Sequence, residues 1–169
     1  MNKIKKLRKL IKLYKLDGYI VPKNDEFFGE HVEKSKDRLN YISSFSGSAG
    51  NALILAKKCY IFVDGRYTLQ AKKEVNKNFQ VIDIHKKKPS EILQKIYSKI
   101  KIGFDPKLFS EASLLNNFKT TNNELISIEQ NLIDKIWLKK PKIKIKKFFI
   151  LKSKHVGKDY KIKIKSVCN

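Results

Sequence analysis

The sequence predicts an α/β domain with a mixed β-sheet flanked by helices. Three observations carry the prediction. Short apolar runs such as Tyr19-Ile20-Val21, Asn51–Leu55 and Cys59–Val63 read as buried strands. Segments with apolar residues three or four apart alternate with them. Lys57-Lys58 separates two of the runs closely enough for a hairpin, so part of the sheet is antiparallel and the rest follows crossover helices.

The elements follow in order. Ile4, Leu7, Ile11 and Tyr14 recur at helical spacing between lysines, and Asp17-Gly18 is expected to stop that helix. Tyr19-Ile20-Val21 is a strand ended by Pro22, and residues 23–34 form a polar loop. Ser35–Phe45 is expected to be helical, with Leu39 and Ile42 inward. The Asn51–Leu55 and Cys59–Val63 hairpin comes next, then a helix over Tyr67–Val75 and a strand over Phe79–Ile84. After the turn Lys86–Pro89, Ser90 is expected to cap a helix over Glu91–Ile100. A strand at Ile102–Phe104, a helix Ser110–Phe118 capped by Ser110, and a strand Leu125–Ile128 complete the set. Beyond Pro141 the texture changes. Lys142-Ile143-Lys144-Ile145-Lys146 and Lys161-Ile162-Lys163-Ile164-Lys165 alternate charge with isoleucine, which suits an edge strand, a helix with snorkelling lysines or a solvated tail. The expected organisation is one domain over residues 1–140, followed by 141–169 as linker and the start of a second domain.

The composition bounds the function classes. With 41% hydrophobic residues the 169-residue chain can bury a core. No apolar run approaches the roughly 20 residues that span a bilayer, and the lysine-rich N-terminus lacks a secretory core, so a cytoplasmic location is expected. The formal net charge is +22, which would attract nucleic acid or anionic surfaces. The lysines are spread along the whole chain, however, and arginine occurs only at Arg8, Arg38 and Arg66. Arginine is the preferred reader of phosphates and bases. A lysine-biased composition therefore explains the charge better than nucleic-acid binding, and a basic binding module is kept as the alternative function.

Few residues point to chemistry. His31, His85 and His155 lie far apart, the acids are scattered, and Cys59 and Cys168 make no CxxC pair, so neither a metal site nor a disulfide framework is expected. Cys59 lies in an apolar run and reads as a buried thiol. Gly47-Ser48-Ala49-Gly50 has the wrong spacing for a nucleophile elbow and leads into a strand, so on its own it reads as a tight turn. Asp64-Gly65-Arg66-Tyr67 follows a strand and opens a helix that Asp64 can cap. The rare Arg66 suggests a place where a planar, bidentate cation matters; on its own it reads as an ion pair with Asp64 or Asp105.

The order of these motifs adds a further reading. Phe45-Ser46-Gly47-Ser48-Ala49-Gly50, then Asp64-Gly65-Arg66-Tyr67 with Gln70-Ala71, then Gly103-Phe104-Asp105-Pro106, then Asn131-Leu132-Ile133-Asp134-Lys135-Ile136-Trp137 together resemble the N-terminal domain of the Xaa-Pro aminopeptidase family, related to creatinase and prolidase. The resemblance spans residues 1 to about 140, and the Asp-Lys-Ile-Trp ending is similar to the three-domain cytosolic branch. It implies a ribonuclease H-like α/β fold and no catalytic residue in this chain. Catalysis in the family belongs to a C-terminal domain, where two Asp, one His and two Glu hold a pair of divalent metals, usually manganese. Those metals activate water against the carbonyl before proline. The resemblance further implies that Arg66 helps to hold substrate. The partners it implies are the catalytic domain, a full-length homologue in trans or a homodimer, and a proline-containing peptide. One loop departs from the family pattern Asp-x-His-x-x-Glu-Tyr: Phe27 stands for the His, and His31 for the Tyr, in Asp25–His31. The stretch from His155 to Val167 resembles the approach to the first helix of a second domain, so the chain is expected to be truncated within it and inactive alone.

Overall fold

The computed structural model describes residues 3–96, 99–142 and 147–168. Six strands form one sheet: β1 (Gly18–Pro22), β2 (Asn51–Leu55), β3 (Cys59–Val63), β4 (Phe79–Asp83), β5 (Ile100–Phe104) and β6 (Asn123–Ser127). Their order across the sheet is β4-β3-β2-β1-β5-β6. β2 runs antiparallel to both neighbours, whereas β3–β4, β1–β5 and β5–β6 are parallel pairs. Every strand but β2 therefore points the same way, and five strand ends meet at one carboxyl edge. The mixed sheet and the Lys57-Lys58 hairpin are as the sequence predicts.

The apolar runs are continuous because both sheet faces are covered. Tyr19 and Val21 of β1, with Cys59, Ile61 and Val63 of β3, face one core; Ile20, Tyr60 and Phe62 face the other. On the first face lie α1 (Lys3–Leu13), α2 (Arg38–Ser43), α3 (Thr68–Glu74) and α6 (Leu132–Ile136). α4 (Pro89–Gln94) and α5 (Glu111–Phe118) cover the second. Ile4, Leu7 and Ile11 form the buried stripe of α1. Each contributes about 2 kcal/mol by leaving water.

Several helix ends differ from the sequence reading. α1 stops at Leu13, and Lys15 takes the left-handed conformation at φ 54°. Gly18 lies inside β1 instead, where an added Cβ would come within 2.7 Å of Leu55 Cδ2 and 2.9 Å of Ile102 Cδ1. The glycine is there for packing. α2 spans only Arg38–Ser43 of the expected Ser35–Phe45; Asp37 caps it by accepting from the Asn40 N–H at 3.1 Å, and Ser44 closes it at φ 72°. Ser90 is within α4: Pro89 occupies the first turn, and the Lys88 N–H donates to Glu91 Oε1 at 2.8 Å. α4 also ends at Gln94, shorter than expected. Ser110 does cap α5, its Oγ accepting from the Ser113 N–H at 3.3 Å.

Beyond Pro141, residues 143–146 of the first lysine–isoleucine repeat lie outside the described residues. The second repeat lies in α8 (Tyr160–Cys168), which follows the short α7 (Ser153–Val156). α8 buries none of its residues, and Phe148, Phe149 and Ile150 ahead of it are exposed. No helix among the described residues is long and apolar enough to cross a membrane.

Candidate functional site

The four motifs all sit at the carboxyl edge of the sheet, in two clusters. In open α/β sheets ligands approach at this edge. The first cluster joins Phe45–Gly50 to the segment after β3. Phe45 is fully buried and meets the Tyr67 ring edge-on, with centroids 6.0 Å apart. A Cβ on Gly47 would collide with that same Phe45 ring, and one on Gly50 would lie 3.0 Å from the Phe62 carbonyl oxygen. The loop thus needs two glycines to lie this flat over the sheet. Its serines lock it to α3 and to the turn before it. Ser46 donates to Glu74 through both N–H (2.7 Å) and Oγ (2.8 Å), and Gln70 Nε2 donates to Ser46 Oγ at 2.9 Å. Ser48 Oγ and Tyr67 OH lie 2.6 Å apart.

Asp64 organises the adjoining turn. It accepts from the Arg66 N–H at 2.9 Å and from Arg66 Nε at 3.0 Å, while Nη2 reaches its second oxygen at 3.3 Å. These bonds from Arg66 hold the Asp64 carboxyl at about 2. Asp64 in turn raises the Arg66 pKa. The pairing with Asp64 is the expected one; Asp105 is engaged elsewhere. His85 Nε2 lies 3.6 Å from Asp64 Oδ2. The Arg66 side chain remains 77% exposed, so its other N–H donors point outward, fixed in direction by Asp64. Arg66 is thereby a pre-oriented cation able to receive a carboxylate or carbonyl oxygen from outside the domain.

The second cluster joins Gly103–Pro106 to Asn131–Trp137. Asp105 is buried and accepts from Asn131 Nδ2 at 2.8 Å and from the Lys107 N–H at 3.0 Å. Asn131 Oδ1 caps α6 through the Ile133 N–H at 2.9 Å. Asp134 then receives Arg38 in bidentate fashion, Nε to Oδ1 and Nη2 to Oδ2, both at 2.9 Å. Arg38 Nη2 also donates to Glu26 Oε1 at 2.8 Å, and Lys36 Nζ lies 3.0 Å from Glu26 Oε2. Arg38 is only 4% exposed. Burial pushes the Glu26 carboxyl up, but its own backbone N–H, Lys36 and Arg38 outweigh burial and hold it at about 2. Asp134 is likewise lowered: burial opposes ionisation, and Arg38 and Lys140 overcome it. Trp137 stacks on Tyr41 with centroids 4.5 Å apart. Sequence reasoning missed this network, although Arg38 carries the same signal of arginine rarity that picked out Arg66.

The remaining candidates stay apart. His31, His85 and His155 do not converge, and among the described residues no three His, Cys, Asp or Glu side chains are placed to hold a metal ion. In the loop that departs from the family pattern, Phe27 is exposed under Lys36 Nζ, 4.1 Å from its ring centre. Cys59 is buried; burial raises its pKa, and Arg8 Nη2 donates to its Sγ at 3.3 Å.

A family model described as the creatinase/prolidase N-terminal domain matches residues 3–136. The chain belongs to this family. All four motifs fall within the match or reach its end. Curated relatives of the creatinase/prolidase type cover nearly the whole chain. A probable Xaa-Pro aminopeptidase P of Coprinopsis cinerea is 34% identical across 95% of the chain, which spans 27% of that protein. Xaa-Pro aminopeptidase 2 of Rattus norvegicus is 31% identical across 95% of the chain and 25% of its own length. The chain thus spans about a quarter of the curated relatives it matches. Among solved structures, an X-prolyl aminopeptidase from Caenorhabditis elegans, described as a cytosolic enzyme with a di-nuclear active site, superposes with a TM-score of 0.77 at 23% identity, over 98% of this chain and 30% of that one. The N-terminal domain of the cytoplasmic peptidase PepQ from Mycobacterium tuberculosis gives 0.60 at 20% identity, over 79% of this chain and 97% of that one. Both likenesses bear on the fold of the creatinase/prolidase N-terminal domain.

Proposed function

We propose that the chain is the non-catalytic N-terminal domain of a metal-dependent Xaa-Pro aminopeptidase, and that Arg66 helps to hold the peptide substrate. The observation that carries the reading is the exposure of a rigidly paired arginine at the carboxyl edge, in a domain whose relatives are Xaa-Pro aminopeptidases. Residues 1–140 form the family domain, and 141–169 lead into a second. Cleavage before proline, with a pair of divalent metals, belongs to the catalytic domain of the longer enzyme. Among the described residues no three His, Cys, Asp or Glu side chains are placed to hold those metals. What this chain supplies is a cation whose direction Asp64 fixes, facing the catalytic domain of the same enzyme or of a full-length homologue. The reading places the protein in the cytoplasm, as the nematode enzyme is described.

The test has two arms. The purified 169-residue chain, given manganese and an Xaa-Pro-Xaa tripeptide, should release no N-terminal residue; release would overturn the assignment. In a polypeptide that also carries the catalytic domain, Arg66→Ala should raise KM about tenfold with an unchanged melting temperature, the worth of one charge-assisted contact. Arg66→Lys should recover only part of it, because lysine lacks the fork that Asp64 orients. An unchanged KM would remove Arg66 from substrate binding.

A further inference from the structure

A cavity lies at the opposite edge of the sheet from Arg66. Its volume is about 670 Å³, within the range of roughly 300–1,000 Å³ typical of small-molecule sites. It opens beside the start of β3, between the β2–β3 turn, the ends of β3 and β4, and α4. The floor follows from the fold. Tyr60 and Ile82 share one face of neighbouring parallel strands, and the six-residue α4 with the residues just after it brings Ile92 and Ile96 against them while covering only part of that face. Leu55 and Ile100 complete an apolar wall.

Around this wall stand Lys57, Lys58, Lys87 and Lys95. None of them takes part in an ion pair among the described residues. The acid at the rim is Asp17, and its Oδ2 already accepts the Lys101 N–H at 2.8 Å. Lysines are common everywhere in this chain, so a basic rim alone would mean little. What sets this place apart is four unpaired cations around a concave apolar floor. A polyanion would find the charge but waste the floor, and an uncharged hydrophobe would find the floor but leave the cations unanswered. A ligand satisfying both has an apolar body and one anionic head.

We propose that this cleft binds a small anionic amphiphile of the acyl-carboxylate class, its chain against Tyr60, Ile82 and Ile92 and its carboxylate among the rim lysines. The site is separate from the Arg66 edge and asks nothing of the peptidase reading. Decanoate below its micellar concentration is the probe, titrated into the 169-residue chain and followed by amide and methyl NMR shifts. Saturable one-to-one binding is expected, with shifts confined to Leu55, Ile82, Ile92, Ile96 and their neighbours. Affinity should fall about tenfold between about 50 mM and about 500 mM salt, and 1-decanol should bind roughly tenfold more weakly. Lys58→Gln with Lys95→Gln changes two exposed side chains, so the fold and melting temperature should hold while decanoate affinity drops about tenfold. Shifts scattered over surface lysines without saturation would overturn the proposal. So would decanol binding as tightly as decanoate, inorganic phosphate displacing it at equal concentration, or full affinity in the double variant.

Discussion

Replacing Arg38 with alanine is expected to destabilise the domain by about 3 kcal/mol, lowering the melting temperature by roughly 6–12 °C. The magnitude comes from what is left behind. Arg38 is 4% exposed and carries three short bonds to two carboxylates that are themselves about a third exposed. Removing the cation leaves Asp134 and Glu26 facing each other over a buried gap, with only Lys140 and Lys36 on their outer sides. A thermal melt and a urea titration measure the loss. Arg38→Met combined with Asp134→Leu should regain about half of it, because one of the two orphaned charges is then gone and Glu26 keeps Lys36. A single variant as stable as the parent would mean the network is neutral. The same groups set the acid limb. Both folded carboxyls are lowered, Glu26 from 4.5 to about 2, so their contribution is present above the unfolded value and is lost as pH falls through the folded one. Stability of the parent should therefore decline between about pH 4.5 and about pH 2, and that decline should shrink in Arg38→Ala.

The network also shows where sequence reading runs out. The strands were legible because a sheet buried on both faces leaves unbroken apolar runs, and Cys59–Val63 is such a run with every residue buried. Helix ends were less so, because a glycine or serine near a boundary has more than one physical use. Gly18 looks like a helix stop, yet it is glycine because Leu55 and Ile102 crowd it, and Lys15 accepts the positive φ instead. Ser90 looks like a cap, but Pro89 and Glu91 define the start of α4 without it. The three arginines make the converse case. In a chain otherwise served by lysine, Arg8 spans Leu55 O and Cys59 Sγ, Arg38 spans two carboxylates, and Arg66 forks onto Asp64. Each uses the directed donors that lysine lacks. Applying the rarity argument to all three would have singled out Arg8 and the buried Arg38 as well. It would not have named Asp134 or Glu26, which only the fold brings within reach of Arg38.

The Phe45–Gly50 motif yields the other large effect. Phe45→Ala should cost about 4 kcal/mol, since the ring is fully buried between the sheet and Tyr67 and its loss opens a cavity in a tight core. Gly47→Ala should cost about 2 kcal/mol for a different reason: its new Cβ collides with the Phe45 ring, which is itself fully buried. The two losses share one cause, so they should not add. In the Phe45→Ala background the obstacle to a Cβ at position 47 is gone, and the double variant should be at least 1 kcal/mol more stable than the sum predicts. Gly50 is the control. Its Cβ would press on the Phe62 backbone carbonyl at 3.0 Å, which truncating Phe45 does not shift, so Gly50→Ala should stay nearly as damaging in either background. Additive losses for positions 45 and 47 would mean that the glycine serves the turn's backbone and not the ring beneath it. A coupling seen at 47 and absent at 50 would instead fix the division of labour: one glycine clears a side chain, the other a strand, and together they keep the loop flat beside the exposed Arg66.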